Sequence, residues 1–184
     1  YIEGSFQKKG WDAVNDLIKT SKEKDTISIT LNGAKVLPAT VLSEIKGKDI
    51  SLNLDMENGF IWKINGTSIT AETPADIDLS VTNTEEYIPA ALYSLISTNQ
   101  NDFGFHLGRN GAFDFPAVLS VKADASCAGL MANLFWYDAE NGVLQCIQTV
   151  TVGGAFERSI PYADFTLSKG QDYFIAFGTE SLNG

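Results

Sequence analysis

The chain has 184 residues, 44% of them hydrophobic and 20% charged, which fits a single globule with its own core and not a disordered chain. Its 13 Lys and Arg against 23 Asp and Glu leave a net charge of −10, which repels phosphate backbones and anionic lipid and so argues against nucleic acid or a membrane surface as partner. No stretch approaches the roughly 20 apolar residues that span a bilayer, and Tyr1 to Lys9 lack the apolar centre of a signal peptide, so any secretion signal is expected to lie outside these residues.

The first predicted element is a helix within an N-terminal segment, residues 1–25, that packs on the rest. Trp11, Val14, Leu17 and Ile18 recur at helical period on one face, and Trp11 is read as core. Asp12 in the first turn and Lys19 and Lys22 near the last complement the helix dipole. The period then switches to two. Ile27 and Ile29, then Ile50, Leu52 and Leu54, then Phe60, Trp62 and Ile64 alternate with polar or outward residues, which predicts strands; Asn58-Gly59 predicts a tight turn between the last two. Trp62 shares the parity of Phe60 and Ile64 and is read as core. Pro38 to Ile45, closed by Gly47, predicts one short helix.

An internal repeat is visible by direct comparison. Leu37-Pro38-Ala39 with Val41, Ser43 and Ile45 matches Ile88-Pro89-Ala90 with Leu92, Ser94 and Ile96. Each copy leads into an alternating strand, an Asn-Gly turn (Asn58-Gly59, Asn110-Gly111) and a further apolar strand (Phe60/Trp62, Phe113/Phe115). This predicts a duplicated helix–strand–turn–strand unit at about 37–64 and 88–115, fused into one domain because neither copy alone buries its apolar face.

The last third reads as all strand. Leu130 to Tyr137 and Val143 to Val152 flank a turn at Asp138 to Gly142; Phe156 to Leu167 and Asp172 to Phe177 follow, and 179–184 reads as a tail. The expected fold is mostly β: a β-sandwich with a few short helices, residues 26–178 forming one module.

Catalytic constellations are missing from the pattern. The one histidine, His106, has a parity opposite to Phe103, Phe105 and Leu107 and is expected to face solvent, away from any nucleophile. A single His leaves no zinc site of the usual type, and no P-loop, dinucleotide fingerprint or nucleophile elbow occurs. Paired carboxylates carry little information among 23 acids, which read as a solvated surface. Asp55, Glu57 and Asn58 collect oxygen ligands at a turn without EF-hand spacing, so calcium is weighed there and no metal or cofactor is expected. Cys127 and Cys146 make no disulfide framework; they are read as two small buried hydrophobes, or as a bridge should Cys127 return beside Cys146 on another strand.

Aromatics carry the remaining signal. Sugar rings stack their apolar C–H faces on exposed aromatic planes while amides and carboxylates take the hydroxyls, so the question is which rings are not core. If Tyr137 pairs with Val143, then Ala132, Leu134, Trp136, Leu144 and Cys146 share one face, and Asn133, Phe135, Tyr137, Val143 and Gln145 the other. The first face is expected to be core. The second is either a ligand platform or the seat of the N-terminal helix. Trp136 and Tyr137 at the hairpin end, with Asp138, Asn141 or Gln145 taking hydroxyls and Phe135 as the fallback partner of Tyr137, form the candidate ligand site.

The run Leu31-Asn32-Gly33-Ala34 to Pro38, Ile45-Lys46-Gly47-Lys48-Asp49-Ile50, Leu54-Asp55-Met56, Asn58-Gly59, Trp62 and Ile64-Asn65-Gly66 resembles a module of secreted surface proteins of anaerobic gut bacteria. Asn110-Gly111-Ala112-Phe113 and Ala128 to Tyr137 fit the same module, so the resemblance covers roughly residues 26 to 177. Members sit in large non-catalytic proteins that attach cells to plant polysaccharides, including starch- and cellulose-adherence proteins of cellulosome-like and amylosome-like systems. The chain departs from the pattern at Trp136, where Tyr is usual, and at Pro161-Tyr162-Ala163-Asp164-Phe165 with a longer loop to Tyr173. Those departures are where a ligand site particular to this module would be built.

The resemblance implies a non-catalytic, extracellular, cell-surface module within a larger protein. The residues add stacking aromatics, and together they predict a monomer that binds a plant glucan, α-glucan in preference. The alternative is a structural or adhesive spacer with no sugar ligand, and a hydrolase is disfavoured.

Overall fold

A computed structural model of the chain describes residues 11–31, 35–56, 59–70, 72–97, 99–108, 112–153 and 161–181. Helix α1 (Trp11–Thr20) is followed by β1 (Thr26–Thr30), β2 (Val36–Leu37), α2 (Ala39–Ile45), β3 (Ser51–Asp55), β4 (Phe60–Asn65), β5 (Ile77–Asp78) and β6 (Val81–Thr82). Then come α3 (Ala90–Tyr93), β7 (Phe103–Leu107), β8 (Ala112–Lys122), β9 (Met131–Asp138), β10 (Val143–Thr151), β11 (Tyr162–Lys169) and β12 (Asp172–Gly178). The fold is mostly β with short helices, as expected. One five-stranded sheet runs β1-β3-β4-β8-β11, a second runs β10-β9-β12-β7-β6, and β2 pairs with β5.

The chain divides into two compact units. The first takes the chain through Ser80, β8 up to Leu119 and the end of β11 from Thr166; the second takes the rest. Helix α1 packs on α2 inside the first unit.

In the first unit α1 buries Val14 and Ile18, leaves Leu17 exposed and holds Trp11 half-buried, so the expected apolar stripe is turned by part of a helical step. Helix α2 buries Val41, Leu42 and Ile45 completely. It also supplies the crossover that a parallel pair requires, since β1 runs parallel to β3 with Ile29 beside Leu54. Strands β3 and β4 are antiparallel, with Leu52 opposite Ile64 and Leu54 opposite Trp62, one apolar face at period two as expected. Trp62 is core: it is 2% exposed, its Nε1–H donates to Leu79 O at 2.9 Å, and Phe113 meets its ring edge-on at 6.1 Å.

Residues 37–64 and 88–115, the two copies of the expected repeat, differ in their strand pairing. Strands β3 and β4 form a hairpin, Gly59 adopts φ 91°, and Met56 N–H donates to Phe60 O at 3.0 Å. In the second copy β7 lies between β12 and β6, whereas β8 lies between β4 and β11. The end of β7 is held by the start of β12 instead: Leu107 N–H donates to Gln171 O at 2.7 Å, and Gln171 Nε2 donates to Leu107 O at 2.8 Å. Asn58, Asn110 and Gly111 lie outside the described residues. So do Phe156 to Ile160 of the expected strand, whose described part, β11, starts at Tyr162.

In the second unit β12 is the central strand and is buried from Asp172 to Phe177. Tyr173 and Ile175 share a face with Phe105, Phe103, Leu134 and Trp136; Phe174 and Ala176 share the other with Gly104, His106, Phe135 and Tyr137. Tyr173 is fully buried, stacks on Phe105 at 5.1 Å, and burial pushes its phenol well above the ordinary tyrosine value. The unfolded chain therefore loses this proton first as pH rises past about 10, so the stability Tyr173 contributes is present below that pH and is lost above it. Alkaline unfolding followed by far-UV circular dichroism is expected to begin above pH ~10 and to shift to higher pH in Tyr173→Phe. An unshifted transition would mean that another group controls it.

Candidate functional site

The hairpin end closes on Asp138. Asp138 O accepts from Gly142 N–H at 2.8 Å, and its carboxylate accepts from Asn141 N–H at 3.2 Å and from Asn141 Nδ2 at 2.7 Å. Gly142 takes φ 66°, the left-handed conformation that only glycine adopts freely. Asp138 is 8% exposed and shapes the turn with Asn141, which is itself exposed.

This turn chemistry also moves the register by one. Val143 pairs with Asp138, Leu144 with Tyr137, Gln145 with Trp136 and Cys146 with Phe135, where Tyr137–Val143 was expected; a bulge at Ile147 then resets Gln148 opposite Leu134. A one-residue slip exchanges the faces. Leu144 and Cys146 therefore join Phe135 and Tyr137, while Gln145 joins Trp136. Phe135, Phe174, Ala176 and Ile88 form one buried cluster, against which Tyr93, Ile96, Tyr137, Leu144 and Cys146 pack. Tyr93 stacks on Phe174 at 5.1 Å and 15°. The mixed face is thus the seat of a helix, but of α3 and not of the N-terminal helix. Phe135 is buried in this cluster, and Tyr137, half-buried like Trp136, packs against it.

Trp136 remains. It is half-buried, its Nε1–H donates to Gly170 O at 3.2 Å, and it stands between Gln145 on β10 and the buried Tyr173 on β12. Gln145 and Val143 on the same face are exposed.

A second cluster was not anticipated. His106 Nδ1 lies 2.7 Å from Asp172 Oδ1, its direct cross-strand partner, and Tyr87 stacks on the imidazole at 4.2 Å and 25°. The expectation that His106 simply faces solvent is corrected: its side chain is 21% exposed and that of Asp172 11%. Tyr87 itself is 51% exposed, and the Glu86 carboxylate beside it raises its phenol above the ordinary value. Gly104 makes this arrangement possible, since a Cβ there would meet Glu85 Cγ at 2.8 Å and Tyr173 O at 3.0 Å. A glycine inside an alternating strand marks such a close approach and was the available signal.

Cys127 is buried and Cys146 half-buried, both as free thiols raised in pKa first by burial. Of the calcium candidates, Glu57 and Asn58 lie outside the described residues, among which no group of three metal-binding side chains occurs. A groove of about 380 Å³ runs between Leu95 and Glu180, but Asn133 in its floor already donates to Ala176 O and Glu180 O and accepts from Thr149 Oγ1.

No protein-family model, curated protein or solved structure matches the chain.

Proposed function

We propose that the chain is a non-catalytic carbohydrate-binding module of a secreted bacterial cell-surface protein, with plant α-glucan as its preferred ligand and Trp136 as the stacking ring. One observation carries this reading: Trp136 is only partly buried, the Gly170 carbonyl fixes the orientation of its indole, and exposed Gln145 lies directly across the ladder. An oriented ring loses little rotamer freedom on binding, and an adjacent amide both donates to and accepts from hydroxyls. A flat glucan would gain most from a row of coplanar rings. Among the described residues no such row stands beside Trp136 at the hairpin end, which favours a curved α-glucan that leaves one plane after each contact.

The spacer alternative draws support from the packing of Tyr137 against the α3 cluster, which occupies part of the second ring. Affinity electrophoresis against soluble and insoluble glucans separates the two readings, since a spacer migrates unretarded through all of them. In calorimetry with maltoheptaose, Trp136→Ala is expected to weaken binding by one to two decades, the roughly 1–3 kcal/mol of one stacking contact by analogy with nucleobase stacking. Gln145→Ala is expected to cost less. Equal affinity in wild type and Trp136→Ala, with both folded by circular dichroism, would place the site elsewhere.

A further inference from the structure

We propose that Tyr87, His106 and Asp172 form a second subsite, for a neutral hydroxylated sugar ring, on the face of the sheet opposite Trp136. His106 and Asp172 belong to the row next to Phe105, Tyr173 and Trp136, and so project from the other face. Strands β7 and β9 are separated only by β12, which sets their backbones about 10 Å apart, while the two subsites leave the sheet on opposite faces.

The chemistry follows from the hydrogen bond. A carboxylate only accepts, so His106 Nδ1–H donates to Asp172, which fixes the orientation of the ring and leaves Nε2 as its second polar atom. Tyr87 lies on one face of that imidazole and keeps half its own surface in water. A cross-strand pair that only stabilised the sheet would need His106 and Asp172 alone. It would not need residues 84 and 85 pressed onto Gly104, the contact that brings the following tyrosine over the ring. The outer face of Tyr87 suits the C–H face of a sugar, while Nε2 hydrogen-bonds one of its hydroxyls and the Glu86 carboxylate accepts from another. Glu85, Glu86 and Asp172 repel uronates and phosphates, which restricts the ligand to uncharged sugars.

This subsite rests on the reading of the chain as a glycan-binding module, and the single histidine makes the two separately testable. The His106 ring protons give one assignable set of NMR signals in the whole chain. Maltoheptaose or cellohexaose is expected to move them in wild type and equally in Trp136→Ala. Tyr87→Ala should abolish the shift and lower the affinity of Trp136→Ala by tenfold or more, roughly the loss of one stacking contact. Tyr87→Phe should keep it, and a galacturonate oligomer should have no effect. Unmoved His106 signals under an oligosaccharide that calorimetry shows to bind would overturn the subsite and leave the glycan-binding reading standing. Shifts that vanish in Trp136→Ala would reduce the two sites to one. Shifts with choline but with no sugar would make the patch a cation site, and binding of no oligosaccharide at all would remove both proposals.

Discussion

Trp62→Ala is expected to destabilise the chain by about 3–5 kcal/mol, the range for deleting a large buried aromatic. The indole is 2% exposed, packs edge-on against Phe113 and lies opposite Leu54 in the β3–β4 hairpin, so no solvent-facing side can relax into the space left behind. Its hydrogen bond adds to the loss, because Leu79 O would be left without this donor. Trp62→Phe separates the two contributions: it keeps most of the apolar volume and is expected to cost about 1–3 kcal/mol, from the unpaired carbonyl and the smaller ring. Urea unfolding followed by tryptophan fluorescence and circular dichroism gives both numbers. A loss under about 1 kcal/mol for the alanine variant would mean that the ring is not the packing centre described here.

Gly66→Ala is the second large effect, and it arises from a residue with an ordinary φ. A Cβ at Gly66 would overlap the backbone carbonyls of Ile45 and Lys48, and it would stand 2.8 Å from the Ile45 carbonyl carbon. Backbone atoms cannot swing aside as a long side chain can. The same glycine accepts from Gly47 N–H at 2.9 Å and donates to Ile50 O at 3.0 Å, tying the end of β4 to the turn after α2. The added methyl group must therefore break that tie or push α2 outward, and a loss of at least about 3 kcal/mol is expected, at the upper end of overpacking costs. In contrast Gly47→Ala, with nothing within 4 Å of its Cβ but φ 76°, should cost only about 1–2 kcal/mol of left-handed strain. Reversal of that order in urea midpoints would contradict the packing at Gly66.

Much of the fold was legible because period two reports one-sided burial. Leu52, Leu54, Phe60, Trp62 and Ile64 alternate cleanly, and all five are buried on one side of their hairpin. The method loses its footing where both faces are covered. β12 reads Tyr-Phe-Ile-Ala-Phe without alternation because α3 and its flanking residues cover Phe174 and Ala176 while Phe105 stacks on Tyr173 from the other side. Parity likewise placed His106 on the face away from Phe105 correctly, but parity cannot say whether that face is wet; residues 84–87 cover it. The two-residue strands β2, β5 and β6 are too short to show any period. At the candidate site the miss was a single residue of register. Asp138 was taken as the first residue of the loop, whereas its side chain captures Asn141 and makes it the last residue of the strand, which carried Gln145 to Trp136 and Tyr137 under α3.

The strand order of the first sheet also sets a timetable for synthesis. Strands β1, β3 and β4 can pair once Asn65 has emerged, yet the other neighbour of β4 begins only at Ala112, and the outer strand β11 only at Tyr162. At about 5–20 residues per second, the 47 residues from Asn65 to Ala112 leave one edge of β4 bare for roughly 2–10 seconds. A bare edge is a template for mispairing, and Lys63 and Asn65, on the solvent-facing parity of β4, are the polar side chains that flank it during that interval. The first sheet cannot close before β11 has been made, so its edge stays open until Lys169 has emerged.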